Sequence, residues 1–293
     1  MQSTMIKPPW LKIKPPTNQF HTVKSIIKSN NLHTVCQEAH CPNTSECWSA
    51  GTATFMIMGD TCTRGCRFCA VKTGLPNILD KNEPKNLAKA ISDMKQFKYI
   101  VLTSVDRDDL TDQGANHFAE CIREIKNKIP NIKIEVLIPD FQGNLELIKI
   151  VANANPDVIG HNIETIKRLQ NIRDKRANYK QSLQVLVNVK KLNKKIFTKS
   201  SLMLGLGETD NEVIDSMKDL KKIDVDIVTL GQYLKPKNRK LEVHEFIHPE
   251  KFKYFEEQAY RLGFMYCASG PYVRSSYKAS EAFMINKINK KNT

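Results

Sequence analysis

At 293 residues, with 41% hydrophobic and 26% charged side chains, the chain has room for one large α/β domain or two small ones and enough apolar content for a buried core. No apolar run approaches the ~18–20 residues of a membrane span, which excludes a helical membrane protein. The net charge of +14 comes mostly from lysine, 35 of 45 basic residues, spread through every predicted helix; with no nucleic-acid motif, it points to acidic protein partners rather than to nucleic acid or membrane.

The opening MQSTMIKPPWLKIKPP lacks the apolar core and cleavage site of a secretory signal, so the expected location is cytoplasmic, or organellar if a presequence was removed. Residues 1–50 read as an N-terminal extension and hold Cys36, Cys41 and Cys47 in CQEAHCPNTSEC. TATFMIM (52–58) reads as the first strand and runs into GDTCTRGCRFCAVKTG, which packs Cys62, Cys66 and Cys69 into eight positions. A helix follows over 83–97, with Pro84 suited to its first turn. The strand pattern YIVLTSV (99–105), helical HFAECIREIKNKI, strand-like IKIEVLIP and helical NLELIKIVANA come next. DVIGHNIE (157–164) is the next strand, followed by a long polar helical region to about Leu192. TKSSLMLGLGE (198–208) and DIVTLGQYL (226–234) flank the helix TDNEVIDSMKDLKKI, and a last helix, PEKFKYFEEQAYRLG, precedes FMYCASGP.

Six strand–helix units in alternation predict an α/β fold with a parallel sheet, a partial (β/α) barrel over 51–270 carrying N- and C-terminal extensions. No G-x-G-x-x-G follows the first strand, which argues against a dinucleotide-binding sheet. In a parallel barrel chemistry sits at the carboxyl ends of the strands. The Cys loop, TSVDRDDL, HNIE and GLGE all follow strands and are expected to open onto one face. The segment 271–293 reads as a C-terminal extension, with 284–293 a frayed end.

Six of the eight cysteines fall within 34 positions of a chain without an export signal, which favours metal ligands over disulfides. Cys121 and Cys267 sit in apolar patterns and read as buried small residues. Cys62-x3-Cys66-x2-Cys69 is a tripod of soft ligands on a loop that Gly65 lets fold tightly. Thiolates suit an iron–sulfur cluster or a zinc ion completed by a histidine or an upstream cysteine.

The C-x3-C-x-aromatic-C pattern of Cys62, Cys66, Phe68 and Cys69 after a first strand resembles the signature of radical S-adenosylmethionine (SAM) enzymes. That resemblance implies three cysteines holding a 4Fe–4S cluster whose fourth iron binds SAM. The second tripod, Cys36-x4-Cys41-x5-Cys47, is similar to that of the lipoyl synthase family, as are KPPWLKIK, TSVDRDDL, HNIET, GLGET, GQYLKP and ASGPYVRSSY. The match runs from Lys7 to Ala282. It implies insertion of two sulfur atoms at carbons 6 and 8 of an octanoyl chain on a lysine of a lipoyl carrier domain, with two SAM consumed per product. It also implies an auxiliary 4Fe–4S cluster as sulfur donor, held by Cys36, Cys41, Cys47 and a serine of RSSY, Ser276 with Ser275 the alternative. Phe68, Ser104, Asp106, Asn162, Glu164 and Glu208 are the expected SAM contacts, although Glu208 also fits the start of the following helix. Arg107 belongs to the same loop as Asp106, and Arg274 is expected to pair with a carboxylate or buttress the serine loop. His40 and His161 read as structural, and no acid/base residue is assigned. The implied partners are carrier domains of 2-oxoacid dehydrogenase complexes or the glycine-cleavage H protein, a flavodoxin- or ferredoxin-type reductant, and an iron–sulfur carrier that rebuilds the cluster. A biotin synthase-like radical SAM enzyme and a zinc-binding nucleic-acid module are the competing readings; the first lacks the upstream tripod and the RSSY tail.

Overall fold

The computed structural model describes residues 7–11, 17–30, 32–38, 41, 43–49, 53–94, 97–237, 239–276 and 281. His40, the tail 284–293, Tyr277 of RSSY and the end of KPPWLKIK lie outside the described residues. The chain opens with helix α1 (Asn18–Ser29), edge strand β1 (His33–Thr34) and two short helices, α2 (Val35–Glu38) and α3 (Thr44–Ser49). Strand β2 (Thr54–Ile57) leads into a loop bounded by the two-residue strands β3 (Thr61–Cys62) and β4 (Lys72–Thr73). The alternation then runs α4 (Glu83–Asp93), β5 (Tyr99–Ser104), α5 (Ala115–Lys128), β6 (Lys133–Leu137), α6 (Leu145–Asn153) and β7 (Val158–Gly160). It finishes with α7 (Tyr179–Leu192), β8 (Phe197–Leu204), α8 (Asp210–Lys222), β9 (Ile227–Gln232), α9 (Pro249–Arg261) and β10 (Tyr266–Gly270).

The main sheet has the order β1-β2-β5-β6-β7-β8-β9-β10, parallel throughout except for the antiparallel β1–β2 pair. Among the described residues β1 and β10 do not pair with each other, so the barrel is open, as the partial-barrel reading expects. Two features differ from expectation. The segment FMYCASGP supplies a seventh parallel strand, β10, in register with β9 from Tyr266–Ile227 to Gly270–Gly231. The polar stretch before Leu192 is not one helix: a 3₁₀ segment, Lys167–Ile172, and α7 are separated by residues 173–178. Asn178 caps α7 there by accepting from the Gln181 N–H, so the restart is encoded locally.

The two faces of each strand diverge chemically. Ile100, Leu102, Ile134 and Val136 pack outward with Ile91, Ile122 and Ile148 of the surrounding helices, each fully buried aliphatic side chain worth about 1.5–3 kcal/mol. The alternate positions face the barrel interior and are largely polar. Lys199 of β8 reaches past β7 to Glu135 of β6, with Nζ 2.8 and 3.0 Å from the two carboxylate oxygens, and the Tyr99 hydroxyl donates to Glu135 at 2.6 Å. Lys199 and Glu135 are 4% and 2% exposed, so each charge depends on the other. Glu135→Leu alone is expected to cost about 3–5 kcal/mol of folding stability. The Glu135→Leu/Lys199→Met pair should recover most of that loss in urea titrations, and equal losses in the single and double variants would contradict the assignment.

Candidate functional site

The Cys loop leaves the end of β2 and closes on itself. Thr61 and Cys62 pair with Lys72 and Thr73, and the Gly74 N–H donates to the Cys62 carbonyl at 3.0 Å. Within this ring the sulfurs collect backbone donors. Cys62 Sγ accepts from the Arg64 and Asp106 N–H groups at 3.4 and 3.3 Å, and Cys66 Sγ from the Asp174 N–H at 3.3 Å. Burial pushes the thiols up to about 11 for Cys62 and Cys69 and about 12 for Cys66, and their neighbours' negative charge adds to this, with each thiol feeling another of the three. A trio so placed stays protonated until a soft cation replaces the protons.

Arg64, inside the tripod and buried, anchors the loop. Its Nη1 and Nη2 grip Asp140 at 2.7 and 2.8 Å, while Nε and Nη2 grip Asp108 at 2.9 and 2.8 Å. The two carboxylates lie beyond the ends of β6 and β5, so one guanidinium ties the Cys loop to two neighbouring strand ends. The break at 173–178 adds a third tether. The Gly65 N–H donates to Asp174 Oδ2 at 2.9 Å, Arg67 N–H to the Ile172 carbonyl at 2.8 Å, and Arg176 Nη2 to the Thr63 carbonyl at 2.8 Å. From above, Arg239 in the segment after β9 donates to the carbonyls of Cys69 and Val71.

Against this loop lies a cavity of about 280 Å³ at the strand ends. The three cysteines and Phe68 form one wall; Ser104, Asp106, Asn162 and Glu164 form another. Burial pushes Asp106 up to about 6 and raises Glu164, although Arg64 and Arg173 respectively oppose the shift. Glu164 holds a positive φ of 65° and accepts from Asn162 Nδ2 at 3.2 Å. The Ser104 hydroxyl is buried without a hydrogen-bond partner, leaving a polar group that faces no protein acceptor. His161 is also on the wall but is saturated: Nδ1 meets the Ile138 carbonyl and Nε2 the Ser182 hydroxyl, both at 2.9 Å. Burial lowers it to about 4, which keeps it neutral. Glu208 is not part of this wall. Its carboxylate accepts from the Gly205 and Leu206 N–H groups, and Thr209 and Glu212 form the capping box of α8, so this group serves its own turn. Arg107 likewise is a clamp, bound to Asp109 and to the carbonyls of Met58 and Asn77.

The second tripod is built by α2 and α3. The Thr44 hydroxyl donates to the Cys41 and Cys36 carbonyls at 2.7 and 3.2 Å, which ties the start of α3 to both cysteines. Burial again raises all three thiols, to about 11 for Cys36 and about 12 for Cys47, and Cys47 also feels the negative charge of Cys36 and Cys41. Thr54, the first residue of β2, connects this tripod to the chain's far end. Its backbone N–H supports the Cys36 sulfur, and its hydroxyl donates to Ser276 Oγ at 2.7 Å. Asn43 Nδ2 donates to the Tyr272 carbonyl, and Arg274 lies close enough to favour the Cys41 thiolate. Gly231 makes the approach possible, because a Cβ there would stand 2.0 Å from the Val273 carbonyl oxygen. Ser275 and Ser276 both reach the cavity wall.

Thus five of the six expected SAM contacts and both candidate serines line the cavity that holds the first tripod; Glu208 does not. Sequence reasoning missed Arg64, Arg173, Asp140 and Thr54. An arginine between two cysteines, with aspartates after the next two strands, was a usable signal; Thr54 reads as any β-branched strand residue.

A family model described as the radical SAM superfamily matches residues 56–220. A protein named mitochondrial lipoyl synthase from Schizosaccharomyces pombe is 55% identical over 97% of this chain and 79% of its own length. One named lipoyl synthase from Halobacterium salinarum is 54% identical over 96% of this chain and 92% of its own. Among solved structures, HydG, a maturase of the [FeFe]-hydrogenase, superposes with a TM-score of 0.59 at 13% identity over 80% of this chain and 54% of its own. Methylornithine synthase (PylB) does so with 0.54 at 12% over 85% and 70%. At such identities these two share the fold.

Arg64→Ala should release the Cys loop. In the metal-free protein, alkylation of Cys62, Cys66 and Cys69 by iodoacetamide should accelerate roughly tenfold, the scale of one lost charge-assisted hydrogen bond of about 1.5–3 kcal/mol. Mass spectrometry of the modified peptides checks this, with Cys121 as the unchanged internal control.

Proposed function

The chain belongs to the lipoyl synthase family of radical SAM enzymes, and on that footing we propose which of its residues carry the reaction. The activity is insertion of sulfur into an octanoyl chain borne by a lipoyl carrier protein, and it uses SAM with a 4Fe–4S cluster. We assign that cluster to Cys62, Cys66 and Cys69, and a second 4Fe–4S cluster, the sulfur donor for carbons 6 and 8, to Cys36, Cys41, Cys47 and Ser276. The observation that carries this reading is the single cavity that meets the first tripod on one side and the serine segment on the other. When bound, the clusters and SAM supply hydrogen-abstracting radical chemistry and sulfur.

The donor chemistry fits those groups. Both tripods consist of buried thiols that repel each other as thiolates and so favour a cationic, thiophilic centre. Asp106, 3.4 Å from Arg64 Nε, and Glu164, which feels the charge of Arg173, place carboxylates on the cavity wall where the amino and sulfonium groups of SAM would add to that compensation, Arg173 offers a cation to a carboxylate, and Ser104 offers a free hydroxyl. Phe68 supplies an aromatic face. Asn162 holds Glu164 in place. With no proton to move, the protein's task is positioning: the apolar side chains of Val35, Met56 and Leu137, which line the same cavity as the first tripod and Ser276, would hold a methylene chain there. Ser276 is preferred over Ser275 because Thr54 already ties it to the Cys36 sulfur. A hydroxyl is a weak ligand for iron, and a cluster meant to be dismantled is served by one.

In this reading residues 51–270 form the radical SAM barrel, 1–50 bring the second tripod, and 271–293 bring its serine. Carrier domains of 2-oxoacid dehydrogenases or the glycine-cleavage H protein, a flavodoxin- or ferredoxin-type reductant and an iron–sulfur carrier are the proposed partners. Exposed Lys81, Lys85 and Lys89, the last two one turn apart on α4, contribute to a basic surface for acidic partners. All eight cysteines are free thiols, which suits a reducing compartment, cytoplasmic or organellar.

Anaerobically loaded protein should hold about eight irons per chain, four per cluster. Cys62→Ala should abolish 5′-deoxyadenosine formation. Cys36→Ala should lower iron to about four and stop sulfur insertion while some SAM cleavage persists; intact sulfur insertion in that variant would sink the donor assignment. For the basic surface, KM for an octanoylated carrier should rise several-fold as ionic strength grows beyond about 0.1 M. A salt-independent KM would remove electrostatic docking.

A further inference from the structure

The loop that follows the first tripod carries the two most exposed large apolar side chains among the described residues: Leu75 is 88% and Ile78 97% exposed. The backbone that bears them is pinned. The Gly74 N–H donates to the Cys62 carbonyl at 3.0 Å, Arg107 Nη2 donates to the Asn77 carbonyl at 3.0 Å, and Leu79 packs against the main apolar core. Leu75 and Ile78 are therefore held out in water by a fixed loop, an arrangement that folding alone does not favour. Around them, residues 72–89 expose Lys72, Lys81, Lys85 and Lys89 against one exposed carboxylate, Asp80. Asp80 is occupied by its own turn, accepting from the Asn82 N–H at 2.8 Å. The half-buried Glu83 is occupied by the Met58 N–H and His117 Nε2, at 2.9 and 2.6 Å. An apolar centre with a basic rim is the make-up of an interface for an acidic protein.

We propose that Leu75 and Ile78 form the docking surface for an acidic one-electron donor protein of the flavodoxin type. The proposal rests on Cys62, Cys66 and Cys69 holding the cluster that cleaves SAM. The reaction needs both a carrier domain and an electron donor, and the patch suits the second. A carrier has to deliver its acyl chain into the cavity, yet neither Leu75 nor Ile78 lines it. A donor has to come close to the tripod, and here the path is short. Leu75 is bonded to Gly74, whose N–H meets the Cys62 carbonyl, and β4 (Lys72–Thr73) pairs with β3, which ends on Cys62. One electron leaves the donor, oxidising it by one, and enters the cluster, reducing it by one; no proton moves in that step. Such encounters use a small contact area and steering by charge. A flavin donor suits the apolar centre, because the dimethylbenzene edge of a flavin is itself apolar. Ile78 also borders a recess of about 260 Å³ with Met58, Gly59 and Leu79 in its wall, which gives the patch a concave side.

The probe is purified flavodoxin, oxidised for binding and reduced for electron transfer, with dithionite as a donor that needs no docking. In titration calorimetry with the loaded holoenzyme, Leu75→Ser/Ile78→Ser should weaken flavodoxin binding roughly tenfold, and Leu75→Met/Ile78→Leu should bind like wild type. Bleaching of the cluster should then need correspondingly more reduced flavodoxin. Bleaching by dithionite and the dithionite-driven KM for an octanoylated carrier should stay unchanged. Both positions are exposed, so these substitutions leave folding intact. An unchanged flavodoxin affinity in the serine variant would overturn the docking surface, as would a wild type that dithionite reduces and flavodoxin does not. A carrier KM that rises in the serine variant would give the patch to the carrier and overturn the proposal equally. A wild type that dithionite reduces but that forms no 5′-deoxyadenosine from SAM would instead remove the cluster assignment beneath it.

Discussion

The fork made by Arg64 with Asp108 and Asp140 is the constraint from which the site follows. A loop of eight residues carrying three thiols has no reason to hold one shape, since its sulfurs repel each other once ionised and its backbone is short of internal partners. A buried guanidinium presenting two parallel pairs of donors fixes position and orientation together. Because its acceptors sit just past β5 and β6, the loop inherits the rigidity of the sheet. The contacts from Asp174, Arg176 and Arg239 refine a placement that Arg64 has already determined.

The chemistry of the cavity is a consequence of where the barrel spends its polar residues. Outward positions are given to helix packing, so the interior receives the charged and hydroxyl groups, and each is either matched or left facing the cavity. Within the strands Lys199, Glu135 and Tyr99 match one another. At the carboxyl ends Ser104, Asp106 and Glu164 are less completely satisfied. That gradient, from closed pairs to open valences, separates the half of the interior that holds the fold from the half that receives ligands.

Much of this was legible in the chain, and the exceptions have physical causes. Both cysteine tripods, strands β2 and β5–β9 and the partial barrel follow from side-chain type, period and unit count, because soft ligands cluster locally and buried parallel strands are apolar runs. Tyr266–Gly270 escaped because four of its five residues are small and it lacks β-branched side chains. The break at 173–178 escaped because arginine, lysine and aspartate are tolerated on an exposed helix face, and the Cys66 and Gly65 contacts that demand a loop come from 100 residues away in sequence. The local role of Glu208 was hard to read for a related reason. A carboxylate after a strand fits a ligand site and a glycine turn equally, and only the position of the Gly205 N–H decides. Thr54 joins two distant segments through one backbone N–H and one hydroxyl, a double use that no local pattern encodes.

The Thr54–Ser276 contact also has a meaning in time. Ser276 lies 240 residues after Cys36, and at about 5–20 residues per second a ribosome needs on the order of 10–50 s to cover that distance. Throughout that interval α2, α3 and β2 can exist while the hydroxyl that meets them has not been made, and Gly231, once made, still waits for the Val273 carbonyl. The wall that encloses the cavity is therefore the last part of the site to be synthesised. Whatever fills the upstream cysteines during synthesis meets an open cradle, and the closing strap arrives afterwards.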